Sequence, residues 1–177
     1  IELLTKLNNG GNIRNQVFYS SYNFELYSNF TFFKEDPING DQIRQKESRN
    51  LFGYNGSYQK EFFLGTVKTE SRAGVQVRYD DINNIELSRT KNRSINTQSI
   101  MLGDVNEMNA GLYWLQKFSI TKKLDISGAI RADYFTNRYH DQLVGKVLNA
   151  NSTIFCPKLN VNYRVNDKVQ LYLYNGK

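Results

Sequence analysis

The chain of 177 residues holds one cysteine, one histidine and two prolines. A single thiol, Cys156, permits no internal disulfide and no all-cysteine metal site. His140 alone cannot build a histidine-based zinc centre. No run of about 18 apolar residues is present, so no transmembrane helix is expected. No signal peptide opens the chain either; Ile1 begins in mid-pattern, and a processed start is expected upstream. The hydrophobic share, 40%, is below the roughly 45–50% of ordinary packed domains. The formal charge of +6 has no basic run behind it. The nearest thing to one is Arg89, Lys91 and Arg93, in a stretch that reads as a loop. With no basic helix and no RNP-like motif, nucleic-acid binding is not expected.

Aromatic residues are plentiful, at 14% of the chain. That excludes the composition of a disordered segment. Polarity alternates with period two nearly everywhere. From Phe18 to Phe32 the even positions include Phe18, Tyr22, Phe24, Leu26, Phe30 and Phe32, and the odd ones Ser21, Asn23, Glu25 and Asn29. From Val67 to Asp80, Val67, Ala73, Val75, Val77 and Tyr79 oppose Lys68, Glu70, Arg72, Gln76, Arg78 and Asp80. Phe52, Tyr54, Tyr58 and Phe62 alternate with Asn55, Ser57, Gln59 and Glu61. Met108, Leu112, Trp114 and Phe118 do the same with Glu107, Asn109 and Lys117. Later come Leu124, Ile126, Ile130 and Tyr134 against Asp125, Arg131 and Asp133. Last are Leu159, Val161 and Tyr163 against Asn160, Asn162 and Arg164, then Val169, Leu171 and Leu173. With a short run at Ile1–Leu7, the pattern predicts about eight strands and no helix.

The connections alternate in length. Short ones are expected at Asn8–Asn12, Phe63–Gly65, Thr121–Lys123 and Asn166–Asp167. Long polar ones are expected over Lys34–Ser48, Ser88–Gly103 and Tyr139–Ser152. Tight turns at one end of a sheet and long loops at the other are the layout of an outer-membrane barrel. At about 3.3 Å per residue, the run from Phe18 to Phe32 is roughly 50 Å long, more than an apolar band of about 25 Å needs.

Alternation alone leaves open whether the apolar face meets lipid or a protein core. The polar faces carry Lys68, Arg72, Arg78, Lys117, Arg131, Lys158 and Arg164 against as many acids: Glu25, Glu61, Glu70, Asp80, Glu107, Asp125 and Asp133. Such mixed charge suits pairing across strands and argues against a strongly ion-selective wall. Phe18, Phe62, Phe63, Phe118, Tyr163 and Tyr172 lie near the short turns, where an interfacial girdle or ordinary cross-strand packing places aromatics.

Several stretches carry a family likeness. They include Leu26-Tyr27-Ser28-Asn29-Phe30-Thr31-Phe32-Phe33, Asp36-Pro37-Ile38-Asn39-Gly40-Asp41-Gln42 and Gly74-Val75-Gln76-Val77-Arg78-Tyr79-Asp80. Another is Ile130-Arg131-Ala132-Asp133-Tyr134-Phe135. Pro157-Lys158-Leu159-Asn160-Val161-Asn162-Tyr163, followed by Leu171-Tyr172-Leu173-Tyr174-Asn175-Gly176-Lys177, is the most specific. Together they resemble the barrel domain of TonB-dependent outer-membrane receptors, with Asn160 and Asn162 replacing the family's commoner small residues. The resemblance implies an all-β, antiparallel up-and-down meander of about eight strands over residues 1–177, part of a larger transmembrane barrel. It also implies a receptor that imports a scarce nutrient, such as an iron chelate, cobalamin or a glycan. Its expected partners are outer-membrane lipid, a plug domain of the same full-length chain, and TonB acting through that plug. Since the family's ligand contacts lie on plug apices and variable loops, no ligand-binding residue carries over.

No catalytic, cofactor or metal site is expected, and the chain is not expected to be an enzyme. Asp133, His140 and Asp141 read as strand-face and loop residues rather than a metal set. Cys156 has nothing nearby to lower its pKa and reads as a small residue before Pro157. A phospholipase-like serine would have to bond His140. Asp80-Asp81 is read as a loop-ward strand end rather than a glycosidase pair. Gly10-Gly11 is a turn, since no helix follows to hold a phosphate. The alternative from another class is a soluble β-sandwich or β-barrel binding module for carbohydrate, drawing on the Tyr and Trp content. An isolated piece of barrel leaves two unpaired edges and is expected to self-associate.

Overall fold

The computed structural model describes residues 1–176. Eight strands follow one another along the chain: β1 Glu2–Lys6, β2 Gly11–Ser28, β3 Ile43–Leu64, β4 Val67–Lys91, β5 Ile95–Ser119, β6 Leu124–Asp141, β7 Lys146–Asn166 and β8 Val169–Gly176. They form one sheet in sequence order, every neighbour antiparallel. This is the expected meander.

One end of the sheet turns tightly, by local chemistry that the sequence predicts. Gly10 and Gly65 adopt positive φ at the first two turns. The Thr121 hydroxyl accepts the N–H groups of Lys123 and Leu124, and the Asn166 side-chain carbonyl those of Lys168 and Val169. Both are side chains mimicking a backbone turn.

The other end departs from expectation. Two of the three stretches read as long loops are mostly strand. β4 runs on to Lys91 and β5 resumes at Ile95, joined through Asn92 and Arg93 at φ 54° and 57°. Two successive left-handed residues match the right-handed strand twist of a hairpin. Arg89 and Lys91 are therefore strand residues, and only Arg93 lies in a turn. β6 reaches Asp141, so His140 is also in a strand; the Asp141 carboxylate caps the following turn through the N–H groups of Leu143 and Val144. The β7 strand begins at Lys146, placing Cys156 and Pro157 within it. Asp80 and Asp81 are likewise mid-strand in β4. The first connection is a true loop, and it starts earlier than expected because β2 ends at Ser28 and not at Phe32. These stretches escaped period-two reading because their outward faces and turns are both polar.

Lengths are those of a wall that outreaches a bilayer. β4 and β5 each have 25 residues, roughly 80 Å at about 3.3 Å per residue. In the whole described chain, Ile82, at 2% exposure, is the sole buried hydrophobic residue. The sheet does not enclose a core of its own.

Candidate functional site

The register sorts side chains onto two faces. On the first, the row Tyr19–Phe52–Tyr79–Met108 runs straight across β2 to β5. On the turn side of that row this face is apolar: Val17, Tyr54, Val75, Val77, Leu112, Trp114, Ile126, Ile130, Phe155 and Val161 all share it. Val17, Leu112, Trp114, Ile130 and Phe155 stand exposed, Leu112 at 64% and Phe155 at 56%, and the others are half-buried. On the loop side of the row the same face turns polar at once, with Ser21 and Asn23, Asn50 and Ser48, Asp81 and Asn83, Asn106 and Asp104.

The apolar stretch is a belt of nearly constant height. In β6 it spans Ile126 to Tyr134, about 30 Å along the strand and roughly 23 Å in height at a tilt near 40°. It shifts toward the turns from β2, where it covers Ile13 to Tyr19, to β7, where it covers Phe155 to Tyr163. A level belt crossing tilted strands must drift through the register in this way.

The second face is the reverse. On the turn side it carries paired charge. Arg131 makes a bidentate contact to Asp133, both bonds 2.7 Å, and its remaining nitrogen donates to Gln76 at 2.7 Å. Arg78 grips Asp80 in the same way at 2.7 and 2.9 Å. Asp80, 3% exposed, also receives Arg49 at 3.4 Å, and Glu47 accepts from Arg49 and from the Tyr22 hydroxyl. Arg72 links Gln59 and Glu70, and Lys117 meets Asp125. Residues two apart on a strand share a face, and an arginine fork spans that spacing, so the bidentate pairs form within one strand. Glycines keep the surface flat where large side chains lie over it: a Cβ at Gly53 would collide with the Phe18 ring. Beyond Asp80 this face gains apolar side chains, Phe24, Leu26, Ile82, Leu87 and Val105, alongside Arg49 and Glu47.

β2 thus corrects the sequence reading. Its Phe18, Tyr22, Phe24 and Leu26 lie on the face of Arg78, not of Val77, and Glu25 lies on the opposite side from the other acids. Of the turn-end aromatics, Phe62, Phe118 and Tyr163 share the belt face; Phe18, Phe63 and Tyr172 do not. A bulge in β4 at Asn83–Asn84 shifts the register so that Ile85 and Leu87 stay on the face of Ile82. The Asp104 carboxylate accepts the Asn84 N–H and fixes the bulge, whose φ is 55°.

The weighed residues do not converge. Asp133 and His140 are on opposite faces, as are Asp80 and Asp81. His140 lies 4.0 Å from Asp104, and Cys156 sits across from Arg131. Among the described residues no group of three or more His, Cys, Asp or Glu is placed to hold a metal ion. The Arg49–Glu47–Tyr22 cluster was missed in the sequence because the upper part of β3 reads there as loop.

A family described as TonB dependent receptor-like, beta-barrel, matches residues 2–175. The chain belongs to that family. No curated protein matches it in sequence. Among solved structures it is similar to the ferric citrate transporter FecA in unliganded form, with a TM-score of 0.79, 16% identity, 94% of this chain covered and 24% of that one. It is also similar to the ferric-catecholate import receptor Fiu from E. coli K12 in its closed form, with a TM-score of 0.67, 13% identity, 99% of this chain covered and 31% of that one. These likenesses concern the fold. The chain spans 24–31% of the length of these receptors.

Proposed function

We propose that this sheet is part of the wall of an outer-membrane receptor that captures a scarce nutrient outside the cell and imports it with energy delivered through TonB. One observation carries the reading: both faces exchange polarity at one level. A belt about 23 Å tall fits the hydrocarbon-facing band of such barrels. The ion-pair face then lines the lumen, where a plug of the full-length chain would meet Arg78, Asp80, Arg131 and Asp133. Above the belt the outer side is wet, and the inner side carries Tyr22, Phe24 and Leu26 as the wall of a vestibule. The lack of an enclosed core speaks against a free-standing carbohydrate-binding module. FecA and Fiu are named for ferric citrate and ferric catecholate. An iron chelate is therefore the ligand class to test first, ahead of cobalamin or a glycan.

The test is uptake by cells carrying the full-length receptor, using radiolabelled ferric citrate and a ferric catecholate. Accumulation that depends on the receptor and on an intact TonB supports the reading. TonB-independent accumulation, or a receptor found outside the outer-membrane fraction, would sink it.

A further inference from the structure

Above the belt, its face carries a polar pocket in which opposite charges stand apart. Asp81, Asn106 and Arg138 lie side by side on β4, β5 and β6. One row farther up are Asn83, Asp104 and His140, with Val147 beside them on β7. Together these two rows line a pocket of about 310 Å³.

Several of its polar groups are left without protein partners. Asn106 donates its amide N–H to Asp81 at 2.9 Å, and its carbonyl oxygen stays open. Asp104 is filled: one oxygen accepts the Asn84 N–H at 3.0 Å and the other the Gln142 amide at 2.7 Å. Among the described residues, Asp81 meets no cation, and the exposed Arg138 guanidinium meets no acceptor. By contrast, Arg78 and Arg131 on the opposite face each hold a carboxylate at 2.7 Å.

We propose that this pocket seats one phosphorylated sugar of a glycolipid headgroup whose acyl chains lie against the belt below. The proposal rests on the wall reading above. Asp81 is two residues beyond Tyr79, the upper limit of the belt on β4, or about 5 Å of height. Arg138 is four residues beyond Tyr134 on β6, or about 10 Å. A bilayer of about 40–45 Å around a hydrocarbon core of about 30 Å leaves roughly 5–7 Å of headgroup on each side. The pocket therefore stands at headgroup height. Sugar hydroxyls donate to the open oxygens of Asp81 and Asn106, Asn83 offers both donor and acceptor, and the phosphate meets Arg138. A bare phosphate is disfavoured, because Asp81 and Asp104 repel it. A protein partner finds no aromatic anchor, since no Tyr, Trp or Phe lines the pocket. The volume holds on the order of ten water-sized groups at about 30 Å³ each, which suits a single sugar ring.

The full-length receptor, purified in detergent and stripped of lipid, is titrated with a diphosphorylated diglucosamine lipid and followed by native mass spectrometry. Arg138→Gln should weaken the first lipid adduct about tenfold, the scale of one lost charge-assisted bond. Asp81→Asn should weaken it as well. Arg164→Gln removes a cation from the opposite face and should leave it unchanged. Should Arg138→Gln fail to assemble, Val147→Glu sets a repelling charge in the same pocket and should have the same effect. Phosphatidylglycerol, which has a phosphate and no sugar, should not compete. Equal competition by it, tighter binding in Asp81→Asn, or an adduct untouched by every pocket variant overturns the seat. The wall reading still stands in those cases if Val144→Cys, in a Cys156→Ser background, reacts with an impermeant maleimide on whole cells. A cysteine there that reacts only after the outer membrane is breached overturns both.

Discussion

The turn-side and loop-side halves of this sheet are made of the same strands and obey opposite rules. In β5, Ala110, Leu112 and Trp114 share a face with Asn106 and Asp104 farther up. Across the strand, Lys117 and Asn109 give way to Val105 and Met101. Period two persists throughout, because side chains alternate whatever surrounds them. What changes is which phase of the alternation is apolar. Below the Tyr19–Phe52–Tyr79–Met108 row the first face is apolar and the second polar, which the proposed wall reading assigns to hydrocarbon outside and water inside. Above it the first face is polar, and the second holds Ile82, the only buried apolar residue among the described residues.

The sharpest way to break this comparison is to put a charge on each face just below the row. Val77 and Gln76 are neighbours on β4 and point to opposite faces. Arginine on the lipid side costs about 2–4 kcal/mol at the midplane and less toward the edge of the belt where Val77 lies, and less still in a polar lumen. Val77→Arg should sharply reduce the heat-modifiable, assembled form of the full-length receptor, while Gln76→Arg leaves most of it. Similar yields from the two would refute the facing.

The two ends of the sheet should differ just as plainly in access. In a Cys156→Ser background, cysteines placed at Ile38 and Val144, both exposed on the loop side, should react with an impermeant maleimide on whole cells. One placed at Asp167, in the turn before β8, should react only after the outer membrane is breached. The opposite labelling order would invert the orientation.

A smaller effect tests the inner apolar patch. Removing one methylene from a buried site costs about 0.5–1.5 kcal/mol. Ile82→Val should show that loss in guanidinium unfolding of the micelle-bound receptor. On the proposed wall reading Val75→Ala opens only onto lipid, which refills the space, and should cost less. Equal losses would mean that the belt is packed against protein.

The sequence revealed strands more readily than surroundings. Parity along β4 to β7 placed Val77, Leu112 and Ile130 on one face and Arg78 and Arg131 on the other, because those segments lie within the belt, where one face is consistently apolar. It misled at β2, where Phe24 and Leu26 belong to the upper, inverted regime while the belt in that strand is only Ile13 to Tyr19. The bulge at Asn83–Asn84 interrupts parity where the two regimes meet, so Ile85 and Leu87 give no single-strand signal.

The subtlest difference between the ends concerns how their connections are held. The loop between β2 and β3 is knotted by two carboxylates. Asp41 accepts the backbone N–H groups of Glu35, at 3.0 and 3.2 Å, and of Asp36, at 2.8 Å. Asp36 in turn accepts the N–H groups of Asn39 at 2.8 Å and Ile38 at 3.0 Å. These bonds favour the charged forms, with the Glu35 N–H leading at Asp41 and the Asn39 N–H at Asp36, so both carboxyls sit below the ordinary aspartate value. A depressed native pKa means that the ordering is complete above the unfolded value, near 4, and is lost as pH falls through the native values. A dye on Ile38→Cys should keep steady anisotropy from pH 7 to about 5 and lose it below about pH 4. Asp41→Asn should lower it already at neutral pH. By contrast, the turns at Thr121 and Asn166 are held by a hydroxyl and an amide that do not titrate. A dye on Lys122→Cys should therefore show a flat profile over the same range. A matching acid drop there would trace the change to the whole sheet and not to the knotted loop.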